Sequence, residues 1–458
     1  MATRRRRGAA YGPLWRLLPI AVCAVVIALL AARMVPNRQT GAGAPAGGSF
    51  APVGADAAAD RAVADPAAGA ASPAAATSPT EASLRLQALL GQHSVLAADL
   101  MRGELRGDPD LAQAANAALG KNTDAIGGLV GALFGDQARG RFAKLWAGHV
   151  AALFNYARGV AERNDAVRRQ AVASVSKFEG DLAGFFSAAS QGRLPLAVAR
   201  SAVTTHIDHL LQQADAYAAG DYRRSDAIYR EGYAHAFGLG RALASTLLPP
   251  AAASALSAPT WLLRSELDRL LGEHVVLVVS AMRAGGTNAA NFATAAATVD
   301  ANTRDLAGAM DTLFGQAAGR RFQSLWADHV DGLISYSGAL VTNDGTKRAA
   351  AGQSLDTFEQ RLAGFLGSAT GDRLAAATLA RALHGHDQML LQEADAYAAS
   401  DYQKAHDLAY STYEQMYELA GSLARAFGAT VASRLPAGGV QTGDGSTAGV
   451  VEHRGHGS

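Results

Sequence analysis

Apolar residues recur at three- and four-residue spacing through two long stretches, from about residue 81 to 246 and from 261 to about 428. That is the period of helices with one face in a core. Strict alternation and β-branched runs are scarce while Ala and Leu dominate, so the chain is expected to be all-α. In the first stretch the pattern predicts helices near 81–104, 109–134, 137–162, 165–189, 194–220 and 222–246. Breakers fall in the gaps: Gly107-Asp108-Pro109, Gly135-Asp136, Asn164-Asp165, and Gln191-Gly192-Arg193 ahead of Pro195. The second stretch repeats the scheme, with Gly285-Gly286, Gly315, Asn343-Asp344-Gly345 and Gly371-Asp372 as breaks. Short connections between long amphipathic helices imply antiparallel neighbours, and so an up-and-down bundle in each stretch.

The two stretches are copies of each other. Arg139 to Val150 (RGRFAKLWAGHV) returns as Gly319 to Val330 (GRRFQSLWADHV), and Leu210 to Tyr222 (LLQQADAYAAGDY) returns as Leu390 to Tyr402 (LLQEADAYAASDY), each 180 residues later. Two long units are too few for a solenoid. The expected organisation is therefore two tandem homologous helical bundles, repeat 1 at 80–248 and repeat 2 at 261–432, joined by a linker at 249–260 that Pro249 and Pro250 open. Residues 433–458 form a Gly-, Thr- and Ser-rich tail.

The N-terminus has a different pattern. A basic block, Arg4 to Arg7, lies within a cytoplasmic segment 1–13. It precedes an apolar segment, 14–35, that is long enough to span a bilayer. Positive charge on its N-terminal side orients the rest of the chain outward. The expectation is a single-pass anchor in the cell membrane with the bulk extracytoplasmic. The alternative is a cleaved signal sequence and a secreted protein. Residues 36–79, rich in Ala, Pro and Gly with little to bury, read as a disordered tether. The only cysteine, Cys23, lies in the apolar segment, so the exported part can form no disulfide. A net charge of +1 with no basic stripe argues against a nucleic-acid partner.

Duplication also screens for chemistry, because a residue kept in both copies has survived two separate histories. Three histidines per copy pass: His93 with His274, His149 with His329, and His206 with His386. His209, His235, His384 and His406 have no histidine counterpart. The three shared histidines fall on the first, third and fifth helices of each repeat, so they can converge on one point of a bundle. Neutral imidazole suits copper and zinc, and one such ion per repeat is the expected cofactor. Asn122, Tyr156 and Gln213 in repeat 1, and Asn302, Tyr336 and Glu393 in repeat 2, are candidates to orient the rings. The competing reading makes these histidines core hydrogen-bonders in a bundle that binds an apolar ligand or a partner protein. The shared aromatics Trp146, Trp326, Phe142, Phe322, Phe178 and Phe358 are expected in the core. The shared Glu179 and Glu359 are expected on an exposed face.

Leu-x-x-Leu-Leu-x-x-His (Leu86 to His93, Leu267 to His274), Leu-Trp-x-x-His, and the histidine ahead of Ala-Asp-Ala-Tyr-Ala-Ala-x-Asp-Tyr together resemble a group of exported bacterial helical-repeat proteins. Some of its members are labelled copper amine oxidase. The resemblance covers both repeats and implies no particular activity. Copper amine oxidases are β-sheet enzymes that build a cofactor from the tyrosine of Asn-Tyr-Asp/Glu, whereas Asn155-Tyr156 is followed here by Ala157. No nucleophile elbow, phosphate loop, dinucleotide fingerprint or His-Glu-x-x-His is present. An enzymatic role, which would rest on a metal-bound hydroxide, is the least favoured expectation.

Overall fold

The computed structural model describes residues 78–248 and 250–434, and among these it contains thirteen helices and no strand. The first half comprises α1 (Pro79–Leu105), α2 (Pro109–Phe134), α3 (Asp136–Ala161), α4 (Asp165–Ala189), α5 (Leu196–Ala218) and α6 (Tyr222–Leu247). A short α7 (Pro250–Ala255) follows, and the second half is α8 (Pro259–Gly286), α9 (Phe292–Phe314), α10 (Gln316–Val341), α11 (Gly345–Ala369), α12 (Ala376–Ala398) and α13 (Tyr402–Arg434). The expected segments 1–13 and 14–35 lie outside the described residues, as do the tether (36–79) up to residue 77 and the tail (433–458) beyond residue 434; Pro79 already begins α1, and residues 433–434 still belong to α13. Among the described residues no helix is long and apolar enough to cross a membrane.

Local chemistry explains the helix starts. Ser78, Asp108, Asn164, Asp221 and Asp344 each accept a hydrogen bond from the backbone N–H three residues on. Each thereby satisfies one of the donors that a helix start leaves free. Proline stands at the first turn of α1, α2 and α8, where its missing N–H costs nothing.

The first helix of each half is a hub. In α1, 19 of 27 residues are buried, and in α8 20 of 28, whereas α3 buries 8 of 26. A helix apolar around its whole circumference belongs inside a core. Accordingly α1 packs against α2, α3, α5 and α6, and α4 closes the ring by bridging α3 and α5. In the second half α8 packs against α9, α10, α12 and α13, with α11 bridging α10 and α12. The expected linker proves partly helical, and α7 rests on α6 and α1 beside Leu248 and Leu256.

The halves share one continuous core and meet reciprocally: α1 on α8, α2 on α13 and α6 on α9. This is the pattern of a two-fold interface within one chain. Equivalent tyrosines meet at the centre, with Tyr233 Oη 2.9 Å from Tyr413 Oη, and Tyr413 donates to the Ala88 carbonyl at 2.9 Å. Arg283 reaches across to Asp99 at 3.1 Å, and Arg230 reaches Glu273 and Asp305 at 2.8 Å each.

The hub is approached closely only where side chains are absent. A Cβ on Gly240 of α6 would stand 2.6 Å from Gln87 Cα, whereas one on Gly238 would meet nothing within 4 Å. Gly240→Ala is expected to cost about 1–3 kcal/mol by overpacking, read as a lower urea midpoint. Gly238→Ala should be neutral or stabilising by up to about 1 kcal/mol. Equal midpoints for the two variants would contradict the close α1–α6 contact.

Candidate metal centre

The hub arrangement brings the shared histidines together. In the first half, α1, α3 and α5 touch one another, and in the second α8, α10 and α12 do the same. His93, His149 and His206 form one buried group, and His274, His329 and His386 form the other. Within each group one ring nitrogen per residue lies within 4.8 Å of the others. His93 Nε2 stands 3.1 Å from His149 Nε2, and His274 Nε2 stands 3.3 Å from His329 Nε2. The third ring completes each triangle, with centroids at 5.7 Å for His93–His206 and 6.0 and 5.8 Å for His386 against His274 and His329.

The expected core aromatics hold the rings. Phe178 stacks on His149 with centroids 4.3 Å apart, and Phe358 stacks on His329 at 4.4 Å. Trp146 and Trp326, stacked in turn on Phe142 and Phe322, wall the His93 and His274 sides.

The hydrogen-bond partners fix the tautomers. His149 Nδ1 donates to the Trp146 carbonyl at 2.7 Å, which leaves a lone pair on Nε2 directed at its neighbour. In the second half, Trp326 Nε1 donates to His274 Nδ1 at 3.3 Å, so neutral His274 carries its proton on Nε2. Both ring nitrogens of His206, and both of His386, are buried without a protein partner. A buried polar atom left unpaired costs about 1–3 kcal/mol. The same nitrogens are left over at equivalent positions of both halves, and each group could hold a metal ion. On the first group's outer side, an apolar cavity of about 40 Å³ reaches His93 and His206 between Leu90, Trp146, Phe186 and Leu243.

All six rings are neutral near pH 7. Burial pushes His149 down to about 4 and His206 and His386 to about 3, and it holds His93, His274 and His329 well below the usual histidine range. Neighbouring imidazoles add to the depression at His93, His206, His274 and His329.

The six residues expected to orient these rings are engaged elsewhere. Asn122 donates to the Leu89 carbonyl and to Gln92, and Asn302 donates to the Leu270 carbonyl and to Glu273. Both therefore tie the second helix of their half to the hub. Gln213 and Glu393 accept from Arg102 and Arg283, buried at equivalent places near the ends of the hub helices. Tyr156 and Tyr336 bond Asp215 and Asp395. Gln213, Glu393, Tyr156 and Tyr336 each lie seven residues after a shared histidine, on its face of the helix but about two turns along it, where they meet different neighbours. Glu179 and Glu359 are buried rather than exposed. Glu179 accepts from Thr204 at 2.8 Å, and Glu359 accepts from His384 Nδ1 at 3.1 Å.

A group that the repeat comparison passed over stands closer. Asp387, 1% exposed, lies with Oδ1 3.4 Å from His329 Nδ1, where the first half uses the Trp146 carbonyl. Its counterpart is Ile207, so a screen for identity between copies discards it. The signal was an aspartate at a position that is apolar in the other copy. Comparison of the chain with protein-family models, curated proteins and solved structures gave no match.

Each depressed histidine makes the unfolded chain the better proton acceptor below pH 6.5. Its effect on stability is absent above that pH and grows as pH falls toward the folded value, on the order of 1.4 kcal/mol per unit per group. Between pH 7.5 and 5 the wild type should therefore lose several kcal/mol relative to His206→Leu/His386→Leu in urea unfolding. A stability difference between the two proteins that is the same at both pH values would contradict neutral buried rings.

Proposed function

We propose that the protein is a membrane-anchored, extracytoplasmic metal carrier or sensor, and that each half binds one copper or zinc ion through its three histidines. The single observation that carries this reading is the pair of unpartnered, buried imidazoles, His206 and His386, each beside two rings whose Nε2 atoms face one another. Ligand nitrogens on a tetrahedral zinc at about 2.0–2.1 Å stand about 3.3 Å apart, close to the Nε2 separations in both groups. Three neutral nitrogen ligands suit copper or zinc better than hard, oxygen-preferring cations. Rings that resist protonation would keep such an ion in mildly acidic surroundings, since proton and metal compete for the same lone pair. A three-residue ligand set leaves a fourth position for water or an exchanging ligand, as a carrier needs in order to pass its ion on. The export and anchoring in this reading rest on the basic block and apolar segment of the N-terminus.

A second reading is favoured by Trp326. Its hydrogen bond to His274 Nδ1 places the His274 proton on Nε2, pointing at His329, as in a core histidine with a structural role. For His274 to bind metal through Nε2, that proton must move to Nδ1 and the indole N–H must turn away. In the second reading the bundle is a ligand- or partner-binding module without metal.

The two readings separate by stoichiometry. The full chain in detergent micelles, carrying His453→Ala and His456→Ala to silence the tail, is titrated with zinc and with copper by calorimetry. His149→Gln and His329→Gln should each bind one ion fewer than the parent, and the double variant two fewer. Unchanged stoichiometry in the double variant would leave the second reading standing.

A further inference from the structure

Around His386 the two halves differ in a concerted way. On α11 and α12 the second half carries Asp356, Glu359, His384 and Asp387, and the corresponding residues of the first half are Ser176, Glu179, Thr204 and Ile207. Three of the four positions have gained a ligand-type side chain, and Asp356, Glu359 and His384 form one cluster. His384 Nδ1 stands 3.1 and 3.2 Å from the two Glu359 oxygens and 3.7 Å from Asp356 Oδ1. Asp356 and Glu359 are one turn apart on α11, and His384 faces them from α12. Their ligand atoms all lie within 4.8 Å of one another. The Glu359 side chain is 3% exposed, whereas those of Asp356 and His384 are 63% and 51% exposed. The cluster thus has a buried floor and an open mouth. Behind the floor, Asp387 stands beside Glu359 with neither oxygen meeting a conventional donor, and its Oδ1 faces His329 Nδ1. Burial and the Glu359 charge hold the Asp387 carboxyl well above the usual carboxylate range.

We propose that Asp356, Glu359 and His384 form a surface site for a divalent cation of the zinc class, present in the second half only. The separations from His384 Nδ1 to the two carboxylates, 3.1 to 3.7 Å, bracket the roughly 3.3 Å edge of a zinc tetrahedron, and all three ligand atoms lie within 4.8 Å of one another. One imidazole and two carboxylates leave a fourth position toward solvent, through which an ion can enter. Asp387, which feels the Glu359 charge, lies 3.4 Å from His329 Nδ1, so the site has a carboxyl group in common with the surroundings of the second histidine group. The first half has no such array: there Glu179 accepts from the Thr204 hydroxyl, and Ile207 fills the place of Asp387. This site is distinct from the histidine groups and stands whether or not they bind metal.

The test gives the second half the surface of the first. Asp356→Ser/His384→Thr, in the full chain with the tail histidines replaced, introduces only residues that the first half carries at these positions, and both sites of change are exposed. Zinc binding is measured by calorimetry and by elemental analysis after gel filtration, with the melting temperature as the check on folding. The variant should bind one zinc fewer than its parent at an unchanged melting temperature. In the background His149→Gln/His329→Gln, in which the histidine groups are disabled, one zinc should remain and should be lost when Asp356→Ser/His384→Thr is added. Equal zinc content with and without the two surface changes, in both backgrounds, would overturn the proposal. Failure of the histidine groups to bind zinc has a different signature: a parent that carries a single ion, removed by the surface changes and indifferent to His149→Gln/His329→Gln.

Discussion

The constraint on which this fold depends is the burial of one helix per half around its whole circumference. Over its middle turns a helix enclosed by four others has no solvent face, so each buried polar side chain of α1 or α8 must find its partner inside the protein or leave a buried polar atom unpaired. Gln92 and Glu273 are met by the second helix of their half through Asn122 and Asn302, and Arg102 and Arg283 by the fifth and sixth helices. His93 and His274 are met by two further histidines each. The arrangement of the outer helices is thus also the arrangement that serves the polar residues of the hub. The histidine groups are one instance of this rule, and they differ in leaving ring nitrogens over.

The pairing of the halves extends the same logic. Because α1 and α8 touch each other as well as their own rings, the interface is made from the most buried helices of the molecule, and its centre is a pair of equivalent tyrosines. The two histidine groups thereby share one continuous core. The symmetry is broken where it meets the surface. At His149 the ring is oriented by a backbone carbonyl, which cannot change its charge. At His329 it faces the carboxyl group of Asp387. Two near-copies of a site thus sit in different electrostatic surroundings.

Much of this was legible in the chain. Helical period and the breaks between helices placed the helices to within a few residues, because these signals are local. The six histidines were legible through repetition, since a neutral surface histidine has little reason to recur while a ring held by three helices does. The hub was also within reach: the run Val275 to Val279 leaves no polar face. The partners of the rings were not legible. Helical spacing tells which side of its own helix Tyr156 or Gln213 occupies, not which neighbour that side meets at that height. Asp387 escaped for the opposite reason, because a screen for sameness is blind to a residue whose significance is that the copies differ.

The central claim is that each triangle of imidazoles is a coordination site rather than a hydrogen-bonded knot in the core. Anomalous diffraction at the zinc absorption edge, on crystals of the zinc-loaded protein, tests it most directly. The expected result is one peak inside each histidine triangle, about 2.0–2.1 Å from three ring nitrogens, with the Trp326 indole turned away from His274. Triangles without a peak, with the Trp326 hydrogen bond to His274 intact, would contradict it.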